Sequence, residues 1–273
     1  REDSFWNGVL PAGESAMINE EILNVGIDLR LSTNLEEIID DGTGKVKAVK
    51  IKETGEILNC DVVGLTAGVS PNITFVKNSK IKTDKGVLVN RHLETNIPNV
   101  YAIGDCAQQQ EPIGRRRNIE AVWYTGRMMG EALAQTICGN RMVYNPGHWF
   151  NSAKFIDIEY QTYGWVSGRE VPDFESQFHW RHAVERICIT VSFDKTTNEF
   201  LGINIFGIRL RHEMFDRWLT EKREVTYVLE HLKDANFDPE FFVEHEHSIL
   251  NEYNSQFNTS LKPIKKSWKR IFA

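Results

Sequence analysis

The 273-residue sequence predicts an α/β region followed by an α+β region. Three observations carry this. Between Gly13 and Leu65 a helical period gives way to short alternating runs and then to a continuous apolar run. At Asn99 to Ile103 an apolar, strand-like run stops abruptly at Gly104-Asp105. Past Pro146 several alternating runs follow one another before helical periods close the chain. Alternating elements point to a mixed α/β unit, and strands followed by helices point to α+β.

The elements follow in order. Gly13 to Val25 reads as a helix whose apolar stripe is Ala16, Ile18, Ile22, Leu23 and Val25. Ile27 to Leu31 alternates like a strand. Asp40-Asp41-Gly42-Thr43-Gly44 reads as a hairpin loop. A hairpin spans Lys45 to Lys52, a turn at Thr54-Gly55 and Glu56 to Asn59, and Asp61 to Leu65 reads as a buried strand. Gly86 to Asn90 is a strand before the Gly-Asp element. A helix is expected from about Ile119 to Ile137, with Ala121, Val122, Met128, Met129, Leu133 and Ile137 inward, stopping at Cys138-Gly139. Strand-like runs then cover Ile156 to Thr162, Gln177 to Trp180, Arg186 to Phe193 and Phe200 to Phe206, with a turn at Thr196-Thr197-Asn198. Helices are expected over His212 to Lys222, Val225 to Asp234 and Pro239 to about Tyr253.

The Gly104-Asp105 step is the strongest functional signal. A carboxylate at the carboxyl end of a strand lies where open α/β sheets bind ligands. Glycine lets backbone N–H groups approach a pyrophosphate, and the acid can accept hydrogen bonds from sugar hydroxyls. Thr95, five residues, then Tyr101-Ala102-Ile103-Gly104-Asp105 resembles the second flavin fingerprint of the FAD-dependent pyridine-nucleotide oxidoreductases. The resemblance implies that Asp105 holds the FAD ribityl chain. Asn118-Ile119-Glu120-Ala121-Val122 resembles the I-E-S-V element of the ferredoxin and putidaredoxin reductases. It implies that the helix start, Glu120, Ala121, Val122 and Trp123, approaches the flavin ring, where a helix amino terminus favours negative charge. Trp149-Phe150-Asn151-Ser152 is similar to the W-F-W-S element of that branch, with Asn151 where the branch places a flavin-side Trp.

Upstream, the order of helix, Gly26-Ile27 strand, hairpin, Asp61-Val62-Val63 strand and Ala67-Gly68 followed by Pro71-Asn72 resembles the back half of the family's NAD(P)-binding domain. Arg1 resembles the position that favours the NADP phosphate, whereas Glu2 would suit the ribose hydroxyl of NAD; the cofactors implied are FAD with NADPH or NADH. The resemblance divides the chain into residues 1–68 (remnant of the nucleotide-binding α/β domain), 69–145 (second segment of an FAD-binding domain) and 146–273 (small antiparallel sheet plus helices). It implies a flavoenzyme that takes a hydride from NAD(P)H and passes electrons to a redox partner protein, such as a ferredoxin, or to a small-molecule acceptor. No G-x-G-x-x-G turn occurs in the sequence, which starts at Arg1-Glu2-Asp3. The expectation is therefore the carboxyl-terminal part of a longer enzyme, inactive alone. The rival reading is a non-catalytic, reductase-derived module for dimerisation, as in a homodimer, or for partner binding.

Composition narrows the classes. A net charge of −6 argues against general nucleic-acid binding. No apolar run approaches a membrane span. Cys60, Cys106, Cys138 and Cys188 are scattered, with no C-x-x-C, so reduced thiols and a cytoplasmic setting are expected and no metal site is read. Glu244-His245-Glu246-His247 reads as a solvated helical face, because adjacent helical residues diverge. Arg115-Arg116-Arg117 is either a solvated loop or a steering patch for an acidic partner. The basic tail with Lys262, Lys265, Lys266, Trp268, Lys269, Arg270 and Phe272 reads as a docking tail against its own subunit.

Overall fold

The computed structural model describes residues 2–237 and 243–264. Arg1, the start of the helix expected from Pro239, and the tail from Lys265 onward lie outside the described residues. The architecture is α/β followed by α+β, with antiparallel sheets and helices. Two compact units emerge. One takes the chain up to Gly64 together with the described residues from Phe150 onward; the other is Leu65–Trp149.

In the first unit, helix α1 (Ala12–Asn24) precedes a three-stranded antiparallel sheet of β1 (Leu35–Asp40), β2 (Val46–Ile51) and β3 (Ile57–Asn59). Strand β1 has no sequence signal of its own, since Leu35-Glu36-Glu37-Ile38-Ile39-Asp40 lacks a clean alternation. The loop after it is built as expected: Gly42 and Gly44 take positive φ, and Asp41 Oδ1 accepts the Thr43 N–H at 2.8 Å. Two expected strands do not form. Residues 27–31 and 61–65 are irregular, and Val62 is 82% exposed. A strand persists through ladder bonds to a neighbour, and among the described residues no strand pairs with either run.

The larger sheet of this unit has the order β6-β7-β10-β9-β8, all antiparallel. Its strands are β6 (Phe150–Phe155), β7 (Ile158–Gly164), β8 (Glu175–Arg181), β9 (Cys188–Asp194) and β10 (Phe200–Phe206). Strand period two separates its faces. Phe178, Trp180, Ile189, Val191, Ile203 and Ile205 face a core closed by α3 (His212–Thr220), α4 (Val225–Glu230) and α5 (Glu246–Phe257). From α3, Phe215 and Trp218 enter that core, their rings edge-on at 5.3 Å. The opposite face carries Tyr160, Cys188 and Phe206, against which Leu10 and α1's Met17, Ile18 and Ile22 pack. That same face is polar in its middle. The Glu14 carboxylate is fully buried and accepts the Asn204 amide at 2.9 Å, Tyr160 donates to Asn204 at 3.3 Å, and His179 Nδ1 meets Thr190 Oγ1 at 2.9 Å. The other Glu14 oxygen has no hydrogen-bond partner among the described residues. Ion pairs Glu21–Arg186 and Glu20–Arg181 border the contact.

The Glu244–His247 run departs from the expected solvated face. His245 and Glu246 are buried, with His245 against the Trp180 and His182 rings. The physical reason is that the run enters α5, whose Ile249, Leu250 and Tyr253 face the sheet and draw its first turn inward. Among the described residues no three His, Cys, Asp or Glu side chains gather as a metal site. No helix among them is long and apolar enough to cross a membrane.

The second unit is built on a parallel pair, β4 (Val87–Val89) with β5 (Ala107–Gln109), and on helix α2 (Trp123–Ile137). Val89, Leu93, Ala107, Met129 and Tyr144 form its main core. The expected strand at 99–103 is absent. Asn99 has φ of 61°, and Tyr101 makes only an isolated bridge to Glu94. The threonine of the motif explains the tight approach: Thr95 Oγ1 donates to the Val100 carbonyl at 2.9 Å and accepts the Ile97 N–H at 3.1 Å. The turn it closes occupies the residues a strand would need.

Candidate functional site

The site grows from Gly104. This residue has φ of +73°, a conformation glycine adopts without strain. A Cβ placed on it would meet nothing within 4 Å, so its outer side is open. Gly104–Cys106 forms one 3₁₀ turn between Ile103 and β5, and the exposed Asp105 side chain stands on it. The turn is anchored on α2: the Gly104 N–H points to Met129 Sδ at 3.3 Å. Gly126 of α2 faces the turn, and a Cβ there would meet Gly104 Cα at 3.6 Å, an ordinary contact. The motif's glycine and acid are thus presented beside the first turns of α2.

That helix starts later than the sequence suggested. Val122 is extended (φ −135°, ψ 135°) and acts as the N-cap residue, without a side-chain cap, and α2 runs from Trp123. Residues 119–122 form the non-helical lead-in. The apolar side chains at 121 and 122 therefore do not join the helix's inward stripe; Ala121 is exposed, and so is Ile137 in the last turn, also expected inward. Trp123 is 67% exposed, edge-on to Tyr124, with the Arg127 guanidinium 5.6 Å from its ring centre.

Glu120 is held differently from its neighbours. Its carboxylate turns into the protein and pairs with Arg116, Nη2 to Oε2 at 2.7 Å and Nε to Oε1 at 3.0 Å. The two side chains, Arg116 and Glu120, are 6% and 8% exposed. Thr125 donates to Glu120 Oε2 at 3.2 Å, and Arg116 Nη1 donates to the His148 carbonyl at 3.1 Å. The guanidinium also lies 5.2 Å from the centre of the Trp149 ring. Near this pair the Tyr144 hydroxyl is buried with no hydrogen-bond partner among the described residues. Burial pushes its pKa up to about 12, so it stays neutral.

The structure thus brings Gly104, Asp105 and the 120–123 segment into one unit, as the sequence grouped them. Glu2 belongs to the first unit, where its carboxylate accepts the Trp6 N–H at 2.9 Å. Arg1 is outside the described residues. The Arg115–Arg117 run is not one patch, because Arg116 is buried by its ion pair while Arg117 is exposed. Arg116 and Tyr144 were missed as site residues. The available signal was the opposite charges at 116 and 120, which lie in a loop rather than on a helix and were masked by the flanking arginines.

Residues 2–130 match the family described as pyridine nucleotide-disulphide oxidoreductase. Over this stretch the chain is similar to that family. The match includes the Gly104-Asp105 turn and the start of α2. The pyridine nucleotide-disulphide oxidoreductases are FAD-binding, NAD(P)H-using enzymes. Over 100 residues the chain is 36% identical to a rubredoxin-NAD(+) reductase of Acinetobacter baylyi, covering 37% of this chain and 25% of that protein. Over 162 residues it is 31% identical to a ferredoxin–NAD(P)(+) reductase of a Sphingomonas species, covering 58% of this chain and 38% of that one. The fold is also that of an NAD-dependent persulfide reductase from A. fulgidus, with a TM-score of 0.73 at 16% identity over 94% of this chain and 50% of that chain. The chain therefore spans a quarter to half the length of these relatives.

Proposed function

We propose that the chain is part of a flavoenzyme that takes a hydride from NAD(P)H onto FAD and passes electrons to an acceptor. The carrying observation is the open, positive-φ Gly104 beside an exposed Asp105, set against α2 within the stretch that matches the family. These residues fit FAD. The open side of Gly104 leaves room for backbone approach, Asp105 offers acceptors for ribityl hydroxyls, and the uncapped start of α2 favours negative charge. Bound flavin would supply the hydride and one-electron chemistry. The protein's part is to hold the cofactor and aim the backbone of Ala121 to Trp123 at its ring. The acceptor is read as a small redox protein of the rubredoxin or ferredoxin kind, on the likeness to the two reductases named above.

The test is Asp105→Ala in the flavin-loaded protein. Removing a charged hydrogen-bond acceptor costs roughly 1.5–3 kcal/mol, a ~10–100-fold weaker FAD site. Flavin retention after exhaustive dialysis equal to that of the native protein would remove Asp105 from the assignment.

The sequence carries no G-x-G-x-x-G turn, so the cradle formed by these residues is partial. The purified 273-residue chain is accordingly expected to be colourless, and to acquire stoichiometric FAD only together with a segment supplying those turns. A yellow 273-residue protein would show that this chain suffices for flavin without those turns. A chain that stays flavin-free even with such a segment would favour the reading as a non-catalytic partner-binding module.

A further inference from the structure

We infer that the Arg116–Glu120 ion pair is a positioning clamp that sets where the lead-in to α2 enters the site, so that Glu120 acts through the backbone it holds rather than by touching the cofactor. The inference rests on the flavin reading above, which it refines: that reading places residues 120–123 as one group at the flavin, whereas the geometry separates Glu120 from the rest.

Four contacts converge on Arg116. Its guanidinium takes both Glu120 oxygens, reaches the His148 carbonyl at 3.1 Å, approaches Thr125 Oγ1 at 3.4 Å and lies over Trp149. It thereby ties three stretches of one unit: the loop after β5, the first turn of α2 and the segment at 147–149. No side-chain cap at Val122 fastens the lead-in from the helix side. An arginine suits this task because its planar fork binds a carboxylate in two places, accepts a ring against its face and stays charged when buried. A lysine retains only the point charge. Truncating one partner of a buried pair leaves the other charge uncompensated. The carboxylate at 120 is turned away from solvent and fully engaged, so it is not free to contact a ligand outside. The backbone of Ala121 and Val122 and the exposed Trp123 remain at the open surface.

The experiment combines amide exchange on the cofactor-free 273-residue chain with flavin release from the loaded protein. In R116M, exchange at residues 126–130, the first α2 amides with helical hydrogen bonds, is expected to rise at least tenfold, while that of β7, β9 and β10 stays native. R116K should restore the melting temperature but not the exchange protection, because the charge returns without the fork. E120Q, which keeps the shape and removes the charge, should fall between native and R116M and serves if R116M does not fold. In the loaded protein R116M should release FAD at least tenfold faster and R116K should remain faster than native. Native exchange at 126–130 in R116M, or full rescue of both readouts by R116K, overturns the clamp. Native protein that takes up no flavin when joined to the glycine-rich segment refutes the flavin reading instead, and the exchange pattern still decides the clamp.

Discussion

Replacing Glu14 by glutamine is expected to remove a fall in stability that the native chain shows as pH rises. Burial holds the Glu14 carboxyl protonated up to about pH 8, against an ordinary value of 4.5, with Thr190 and Asn204 offsetting part of the effect. The folded chain therefore keeps a proton that the unfolded chain releases near 4.5. Between those values the folded state binds more protons, so stability is full below about 4.5 and is lost progressively up to about 8. One pKa unit corresponds to ~1.4 kcal/mol, which makes the loss between about pH 5 and pH 8 roughly 3–4 kcal/mol. The glutamine side chain has no such proton to lose and still accepts the Asn204 amide. Other groups face the same site. Tyr160 and Cys188 are pushed up by burial and stay neutral, His179 is pushed down by burial, and Arg181 borders it. They are common to both proteins, so the difference between native and E14Q isolates residue 14. Urea unfolding of both at about pH 5, 6.5 and 8, followed by a probe in the β6–β10 sheet, measures it. Parallel curves would mean that Glu14 is ionised or solvated when α1 is docked.

The second large effect is expected from Trp218→Ala. Trp218 is 1% exposed and sits in the core between α3 and the larger sheet, against Phe215. Truncating a buried tryptophan to alanine typically costs about 3–5 kcal/mol, from lost transfer energy plus the cavity left behind. For a unit of this size that is a drop on the order of 10 °C in Tm. The loss should confine itself to the unit containing the larger sheet, leaving amide exchange around β4, β5 and α2 native. A change below about 1 kcal/mol would show that the surrounding aromatics collapse into the space.

Much of the candidate site was readable in the residues. The Thr95 to Asp105 spacing needs no partner element to make sense, because the threonine closes its own local turn and Gly104 its own backbone conformation. The position of Glu120 was also readable, but its direction was not. Whether a carboxylate points at a ligand or into an ion pair depends on what stands opposite, and Arg116 stood in a run that looked like solvated charge. The strands expected at 27–31, 61–65 and 99–103 failed for a related reason: composition marks an apolar extended run, and only a neighbouring strand makes it one.

The clearest division lies in β9. Its alternation of Ile189, Val191 and Phe193 with Cys188, Thr190 and Ser192 was enough to specify a strand and to assign its apolar face, because side chains in a strand alternate whatever surrounds them. Local pattern likewise located α1 and α3 as helices, but of the stripe expected on α1 only Ile18 and Ile22 are buried, whereas Ala16, Leu23 and Val25 are exposed and Glu14 and Met17 face the sheet instead. The same alternation implies a wet second face, yet in the structure both faces of β9 are buried. The polar face of the sheet lies under α1, where Glu14 meets Asn204 across 190 positions of chain and His179 meets Thr190. No local property records that meeting. It is decided by which surfaces can bury one another while the polar groups between them find partners, and that condition exists only once the chain is folded.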